Sequence, residues 1–341
     1  MRPRIALLAA PESSASVLYG LYDTLLSVGP MWPDMTGLEV SVSPEPLLDV
    51  QIVARTGEPF RCFGNVLVEP TAAIDDVGLI DAAVVCDMFS PIHTAPRGLY
   101  APETQWLRDV HRLGGLLGSV CSGSLMLAES GVLDGRTCAG HWAYADLFRS
   151  AYPKVTFLPD KVLDLDSLAD RIVTAGGVTS WQELALFLIA WFCGPEQAAQ
   201  TAKVYLLGSH ADGQLPFSAM TQRRAPTDAV IGEVVAWISD CYATADPVTA
   251  MAHRSGLRSR TFARRFQAAT GRRPIEFVHE LRVEGARRLL ETGDASVDDV
   301  GYEVGYEDST FFRRLFKRTT GLTPAAYRRR YASIVASPWR P

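Results

Sequence analysis

Several features that would assign this chain to a familiar class are missing. Its six cysteines, Cys62, Cys86, Cys121, Cys138, Cys193 and Cys241, form no Cys-x-x-Cys pair and no Cys/His cluster with metal-ligand spacing. That argues against a zinc-ribbon or a disulfide-stapled scaffold, and the expectation is reduced thiols with no metal and no cofactor. The longest apolar run, residues 184–193, falls far short of the roughly 18 residues that cross a bilayer. The apolar residues 5–10 are followed at once by Pro11 and Glu12, too early for a secretory leader. A cytoplasmic protein without a membrane partner is expected. No low-complexity tract is present, and no basic excess marks the whole chain, whose formal net charge is −5.

At 341 residues the chain is long for one hydrophobic core, which favours two domains. The charge divides accordingly. Residues 1–225 hold 15 basic and 24 acidic side chains, a net −9, and residues 226–341 hold 18 and 14, a net +4. Only the tail is basic, the asymmetry of a nucleic-acid-binding tail on an acidic body. Residues 211–226 have the Gly, Pro and polar mixture of a linker, with residues 214–217 expected to dock on the first domain. Thr227 is a candidate N-cap for a helix over 230–241, with Val230, Val234, Val235 and Ile238 along one side. The expected organisation is a first domain over 1–210, a linker over 211–226, a second domain over 227–333 and a tail over 334–341.

The most informative stretch is 296–328. Val297, Val300 and Val304 recur at helical spacing, Gly305 permits a sharp turn, and Phe311, Phe312, Leu315 and Phe316 resume the pattern beyond it. This reads as helix, turn, helix. Asp308 or Ser309 can cap the second helix, and Phe312, Leu315 and Phe316 would face the core. Thr310, Arg313, Arg314 and Lys317 are then left on accessible faces, where a short cationic helix fits the major groove of DNA. Taken alone the segment also suits a solvated helix of an ordinary α-bundle. A second copy over 249–274 weighs against that: Ser-Gly-Leu at 255–257 answers Val-Gly-Tyr at 304–306, and Arg-Arg-Phe at 264–266 answers Arg-Leu-Phe at 314–316. From turn glycine to helix phenylalanine is ten residues in one copy (Gly256 to Phe266) and eleven in the other (Gly305 to Phe316).

On the Val-Gly-Tyr turn, the Phe-x-Arg-x-Phe-Lys run of 312–317 and Thr-Gly-Leu-Thr-Pro with Tyr327 and Arg328, residues from about 228 to 331 resemble the AraC/XylS family of DNA-binding domains. The resemblance implies two helix-turn-helix units joined by one long helix, here over 274–291, about one DNA turn or roughly 34 Å apart. It implies Arg260 and Arg264 in the first unit, and Ser309, Thr310 and Arg314 in the second, as base-facing residues. Arg313 and Lys317 complete the expected DNA-binding set, with Lys317, Arg272 and Arg273 read as phosphate contacts or solvated cations.

The first half alternates short apolar runs with helical ones: strands over 5–9, 40–43, 82–86 and 116–120, helices over 17–28 and 103–113. That pattern predicts a parallel sheet covered on both faces. The strand at 116–120 runs into Cys121, Ser122, Gly123 and Ser124 before another helix, the sequence form of a nucleophile elbow. A thiol at that helix N-terminus is expected to favour thiolate, and nearby backbone N–H groups can hold an anion. A small buried cysteine ending a core strand is the plainer alternative. Twenty residues on, His141 stands before Trp142, as a partner of the thiol or as a packed, hydrogen-bonded histidine.

With the run Leu133-Asp-Gly-Arg to His141-Trp, and with 174–183 and 194–202 behind it, residues from about 4 to 208 resemble the ThiJ/PfpI superfamily. They are similar in particular to its subfamily fused to AraC tails, the GlxA-like transcriptional regulators. The fold implied is an α/β parallel-sheet sandwich of flavodoxin type followed by an all-α domain with two helix-turn-helix units. One departure matters: where enzymes of the superfamily place a carboxylate after the first strand, this chain has Val17, with Glu12 and Asp23 off the position. A nucleophile needs a base and an orienting group. No catalytic residue is therefore assigned, and Cys121, Ser122, Gly123 and His141 are expected to bind a small-molecule effector. The function implied is a regulator of transcription that binds double-stranded DNA and dimerises through its first domain, activation being the commoner outcome in the families resembled. The alternatives are a cysteine-dependent amidase or hydrolase, and a thiol redox sensor, each with a DNA-binding tail.

Overall fold

The computed structural model describes residues 2–36, 45–208, 213–214, 226 and 228–335. The chain divides into two compact units, Met1–Gln214 and Leu215–Pro341. The first contains, in order, β1 (Arg4–Leu8), α1 (Ala15–Leu26), α2 (Met31–Thr36), β2 (Asp49–Ala54), β3 (Phe60–Arg61), β4 (Leu67–Val68), β5 (Ala72–Ala73), β6 (Ala82–Val85), α3 (Ala101–Arg112), β7 (Leu116–Val120), α4 (Ser124–Ser130), β8 (Thr137–Ala139), α5 (Ala145–Ala151), β9 (Thr156–Leu158), β10 (Leu163–Asp164), β11 (Ile172–Ala175), α6 (Trp181–Cys193) and α7 (Pro195–Val204).

Seven of these strands form one sheet in the order β10-β11-β7-β6-β1-β2-β5, parallel except for the β10 to β11 pair. Alternate residues of β1 serve the two faces: Ile5 and Leu7 join Leu18 and Leu21 of α1 and Leu184 and Leu188 of α6, while Ala6 and Leu8 join Leu107 of α3, Leu125 of α4 and Phe148 of α5. Both faces are buried, which is why the central strands read as continuous apolar runs rather than as alternation.

The strands expected at 5–9, 82–86 and 116–120 form within a residue of those bounds, and the helices expected over 17–28 and 103–113 form as α1 and α3. Residues 40–43 lie outside the described residues. The strand beside β1 is β2, where Ile5 pairs with Val50 and Leu7 with Ile52. It was missed because Asp49 and Gln51 interrupt the run at its start.

The second unit is helical: α8 (Ala229–Asp240), α9 (Pro247–Arg254), α10 (Ser259–Thr270), α11 (Pro274–Thr292), α12 (Val297–Glu303), α13 (Ser309–Thr320) and α14 (Pro324–Val335). It has two cores. Ile231, Val234, Met251, Phe262 and Phe266 pack on the first half of α11 through Phe277, Val278 and Leu281, and Val300, Phe312, Leu315, Phe316 and Tyr327 pack on its second half through Val283, Ala286 and Leu290. At the start of α8 the N-cap is Asp228, whose carboxylate accepts from the Ile231 N–H at 3.3 Å, and not Thr227, which lies outside the described residues.

Candidate functional site

The elbow forms as the sequence predicts. β7 ends at Val120, Cys121 adopts φ +55°, and α4 begins three residues later. A left-handed φ is strained for a side chain with a Cβ, and such strain persists where the surroundings hold it. Gly123 lets the start of α4 close on the end of β6, because a Cβ there would sit 2.5 Å from the Val85 carbonyl oxygen and 2.8 Å from that of Cys86.

The chemistry differs from the expectation of a thiolate. Cys121 is only 4% exposed. Burial pushes its thiol well above the ordinary range, the Asp87 carboxylate adds to the rise by its charge and by a hydrogen bond, and contacts with Ser122 pull partly back. The N-terminus of a seven-residue helix offers about half a charge at best, which burial and a neighbouring carboxylate outweigh. Burial and the neighbouring carboxylate both favour the protonated thiol.

Asp87 is the residue that sequence reasoning missed. Parallel pairing sets Val85 of β6 opposite Ser119 of β7, so two residues on, Asp87 and Cys121 leave the sheet side by side. The Asp87 carboxylate accepts from Ser14 Oγ at 2.8 Å and from Ser122 Oγ at 2.8 Å. Ser122 Oγ also accepts from the Met88 N–H at 2.9 Å and touches the Met88 carbonyl. Its hydrogen bonds are taken by protein groups, so Ser122 holds the elbow's shape, as Gly123 does.

His141 is half-buried. Its Nδ1 accepts from the Ala143 N–H at 3.2 Å, and burial holds its pKa below the usual histidine value despite Asp87. Among the described residues no hydrogen bond joins this ring to Cys121. Tyr144 closes the other side, donating to the Ser90 carbonyl at 2.7 Å, its own pKa pushed up to about 12 by burial and then by Cys121 and Asp87. Val17, at the position that lacks the superfamily carboxylate, is fully buried. Glu12 instead lines a cavity of about 260 Å³ with Arg55, Phe60, Tyr100 and Glu103. In the expected linker, Gln214 is anchored to the first unit: its Nε2 donates to the carbonyls of Gly140 (2.9 Å) and Lys161 (2.7 Å). Residues 215–217 lie outside the described residues.

In the second unit, α10 and α13 follow the turns at Gly256 (φ +65°) and Gly305 (φ +94°). Phe262, Phe266, Phe312, Leu315 and Phe316 are buried, while Arg260, Arg264, Thr310, Arg313, Arg314 and Lys317 are exposed and Ser309 is half-exposed. Asp308 is the cap of α13, accepting from the N–H groups of Thr310 (2.8 Å) and Phe311 (3.1 Å), which makes Ser309 the first helical residue. Arg313 pairs with Asp298 of α12 at 2.8 Å, and the Arg314 guanidinium lies 5.8 Å from the Phe311 ring. None of the ion pairs among the described residues includes Arg260, Arg264 or Lys317. Among those residues no helix is long and apolar enough to cross a membrane.

Residues 42–190 match the model of the DJ-1/PfpI family, and residues 251–330 match that of a helix-turn-helix domain. The HTH-type transcriptional regulator CdhR of Pseudomonas aeruginosa is 30% identical over 282 residues, 80% of this chain and 80% of that protein. The HTH-type transcriptional regulator GlxA of Rhizobium meliloti is 28% identical over 228 residues, 67% of this chain and 69% of its own. The HTH-type transcriptional regulator GbdR of Pseudomonas aeruginosa is 25% identical over 261 residues, 75% of this chain and 68% of its own. The chain belongs to the family of AraC-type helix-turn-helix transcriptional regulators that carry a DJ-1/PfpI domain.

Proposed function

We propose that the chain is a cytoplasmic homodimer whose first unit senses a small-molecule effector and whose second unit reads two successive major-groove segments of one duplex, with activation as the outcome. The observation that carries the DNA reading is the division of α10 and α13: phenylalanines buried on one side, Arg260, Arg264, Thr310 and Arg314 exposed on the other. Arg264 and Arg314 are the base readers, since a guanidinium fork matches the two acceptors of a guanine edge. Lys317 is a phosphate contact, and Arg313 orients α13 through Asp298.

The effector is held at the carboxyl ends of the strands, the usual ligand position of an open α/β sheet. In this reading Cys121 and His141 line the site while Ser122 and Gly123 keep its geometry. Binding without turnover is supported by the burial and the Asp87 carboxylate that disfavour a thiolate at Cys121, and by the absence of a hydrogen bond from His141 to it among the described residues. An effector acts only through a difference in affinity between DNA-competent and incompetent arrangements. Selection of binders from a random duplex pool by the full chain tests the DNA reading, which expects two enriched segments about one turn apart. Turnover of amide or aldehyde substrates by the full chain, lost in Cys121→Ser, would reverse the non-catalytic reading.

A further inference from the structure

Arg282 lies at the midpoint of α11, between the residues that pack into the first core and those that pack into the second. It is 6% exposed. Its guanidinium donates to three backbone carbonyls: Nε to Tyr242 (2.8 Å), Nη2 to Thr244 (2.9 Å) and Nη1 to Gly305 (2.7 Å). Its Cζ lies 5.0 Å from the centre of the Tyr306 ring. Tyr242 and Thr244 belong to the connection between α8 and α9, in the first half of the unit; Gly305 and Tyr306 form the turn between α12 and α13, in the second. Among the described residues no carboxylate pairs with Arg282.

Burying a cation without a counter-ion is costly, and an apolar side chain would fill the same joint more cheaply. What an apolar side chain lacks is a rigid fork of donors able to hold carbonyls from both halves at once. The turn glycine fits this arrangement. At Gly305, besides the positive φ, a Cβ would sit 2.8 Å from the Ala243 carbonyl oxygen and 2.9 Å from Arg282 Cζ.

We propose that Arg282 is a positioning residue that fixes the separation and rotation of α10 relative to α13, and so sets the spacing between DNA segments that the protein accepts. The inference rests on the reading that both helices engage one duplex. The test uses the full chain, the duplex recovered by selection, and two versions with one base pair inserted or removed between the two segments, a change of about 35° in their relative rotation. The wild-type chain should lose at least tenfold in affinity for either altered duplex. In Arg282→Lys, a single donor group in place of the fork, that penalty should fall to threefold or less while base preferences inside each segment persist. Arg282→Gln serves if the lysine variant folds poorly. Because the readout is a ratio of affinities, an inactive fraction cancels from it. A variant that binds all three duplexes more weakly but keeps the wild-type ratio assigns Arg282 to stability alone and overturns the inference. A wild-type chain indifferent to spacing overturns the one-duplex reading, and this inference with it.

Discussion

Helices α10 and α13 align without a gap at an offset of 50 and share five of their twelve residues, and their differences are more telling than their likeness. Both run from a serine to a threonine, Ser259–Thr270 and Ser309–Thr320, and both end alike: Thr270 Oγ1 donates to the Phe266 carbonyl and Thr320 Oγ1 to that of Phe316, each at 2.8 Å. Phe262 answers Phe312, Phe266 answers Phe316, and Arg264 answers Arg314. The extra residue between turn glycine and phenylalanine in the second copy therefore lies in the turn. The starts differ. α13 is capped by Asp308, while Arg258 in the same place gives α10 no side-chain cap. α12 carries a reciprocal cap, Ser296 Oγ accepting from the Asp299 N–H at 3.1 Å, while α9 begins at Asp246 with no side-chain cap bond. The second pair is organised locally. The first pair depends more on α8, through the two hydrogen bonds from Arg265 to Asp228 at 2.8 and 2.9 Å.

Removing a core ring should have the largest effect and separate the two halves. Phe266→Ala or Phe312→Ala should cost about 3–5 kcal/mol of stability. Hydrogen exchange should show early loss of protection in α9 and α10 for the first variant and in α12 and α13 for the second. Equal loss in both halves for each variant would mean that the two cores act as one.

Next come the two proposed base readers. Arg264→Ala and Arg314→Ala should each lower specific affinity by about 1–3 kcal/mol without altering the melting temperature, as titration of a selected duplex would reveal. The caps should matter less. Asp308→Ala should destabilise the second pair by about 1 kcal/mol, and Arg258→Asp should stabilise the first by a similar amount, both read from thermal melts. If the two changes proved equal to zero, the difference between the starts would carry no energetic meaning.

The smallest effects are electrostatic. Lys317→Ala should reduce the salt slope of binding by about one, since one phosphate contact is lost. The pKa of Asp298 is lowered first by its hydrogen bond from Arg313, and that of Asp228 first by its bond from Arg265. A depressed carboxylate stabilises the fold above its unfolded value near 3.8 and loses that contribution as the pH falls through the folded value. Acid melts should therefore show the loss below about pH 4. It should disappear for the second pair in Asp298→Asn and persist for the first.

Much of this was legible in the sequence because it is local. A glycine that takes positive φ and phenylalanines at helical spacing specify helix, turn and helix within about twenty residues of chain, so both helix-turn-helix units could be read, while α14 was not. The elbow was legible for the same reason: an apolar strand, one cysteine, three small residues. Asp87 was not, because its place beside Cys121 exists only once β6 and β7 pair in register, 34 residues apart in the chain. The burial that works against a thiolate at Cys121 was hidden for the same reason, since helix position is readable locally while burial is not. β2 was missed where polar residues broke the apolar run, and nothing in the local pattern singles out Arg282, whose three carbonyl partners lie 23, 38 and 40 residues away in the chain.

The comparison of the two helices is tested most directly by base-preference maps from duplex selection with the full chain and with Arg264→Ala and Arg314→Ala. Two enriched segments about one turn apart are predicted for the wild type, with each variant flattening one position of a different segment and leaving the other segment intact. Unchanged maps for both variants, or loss at the same segment in both, would contradict it.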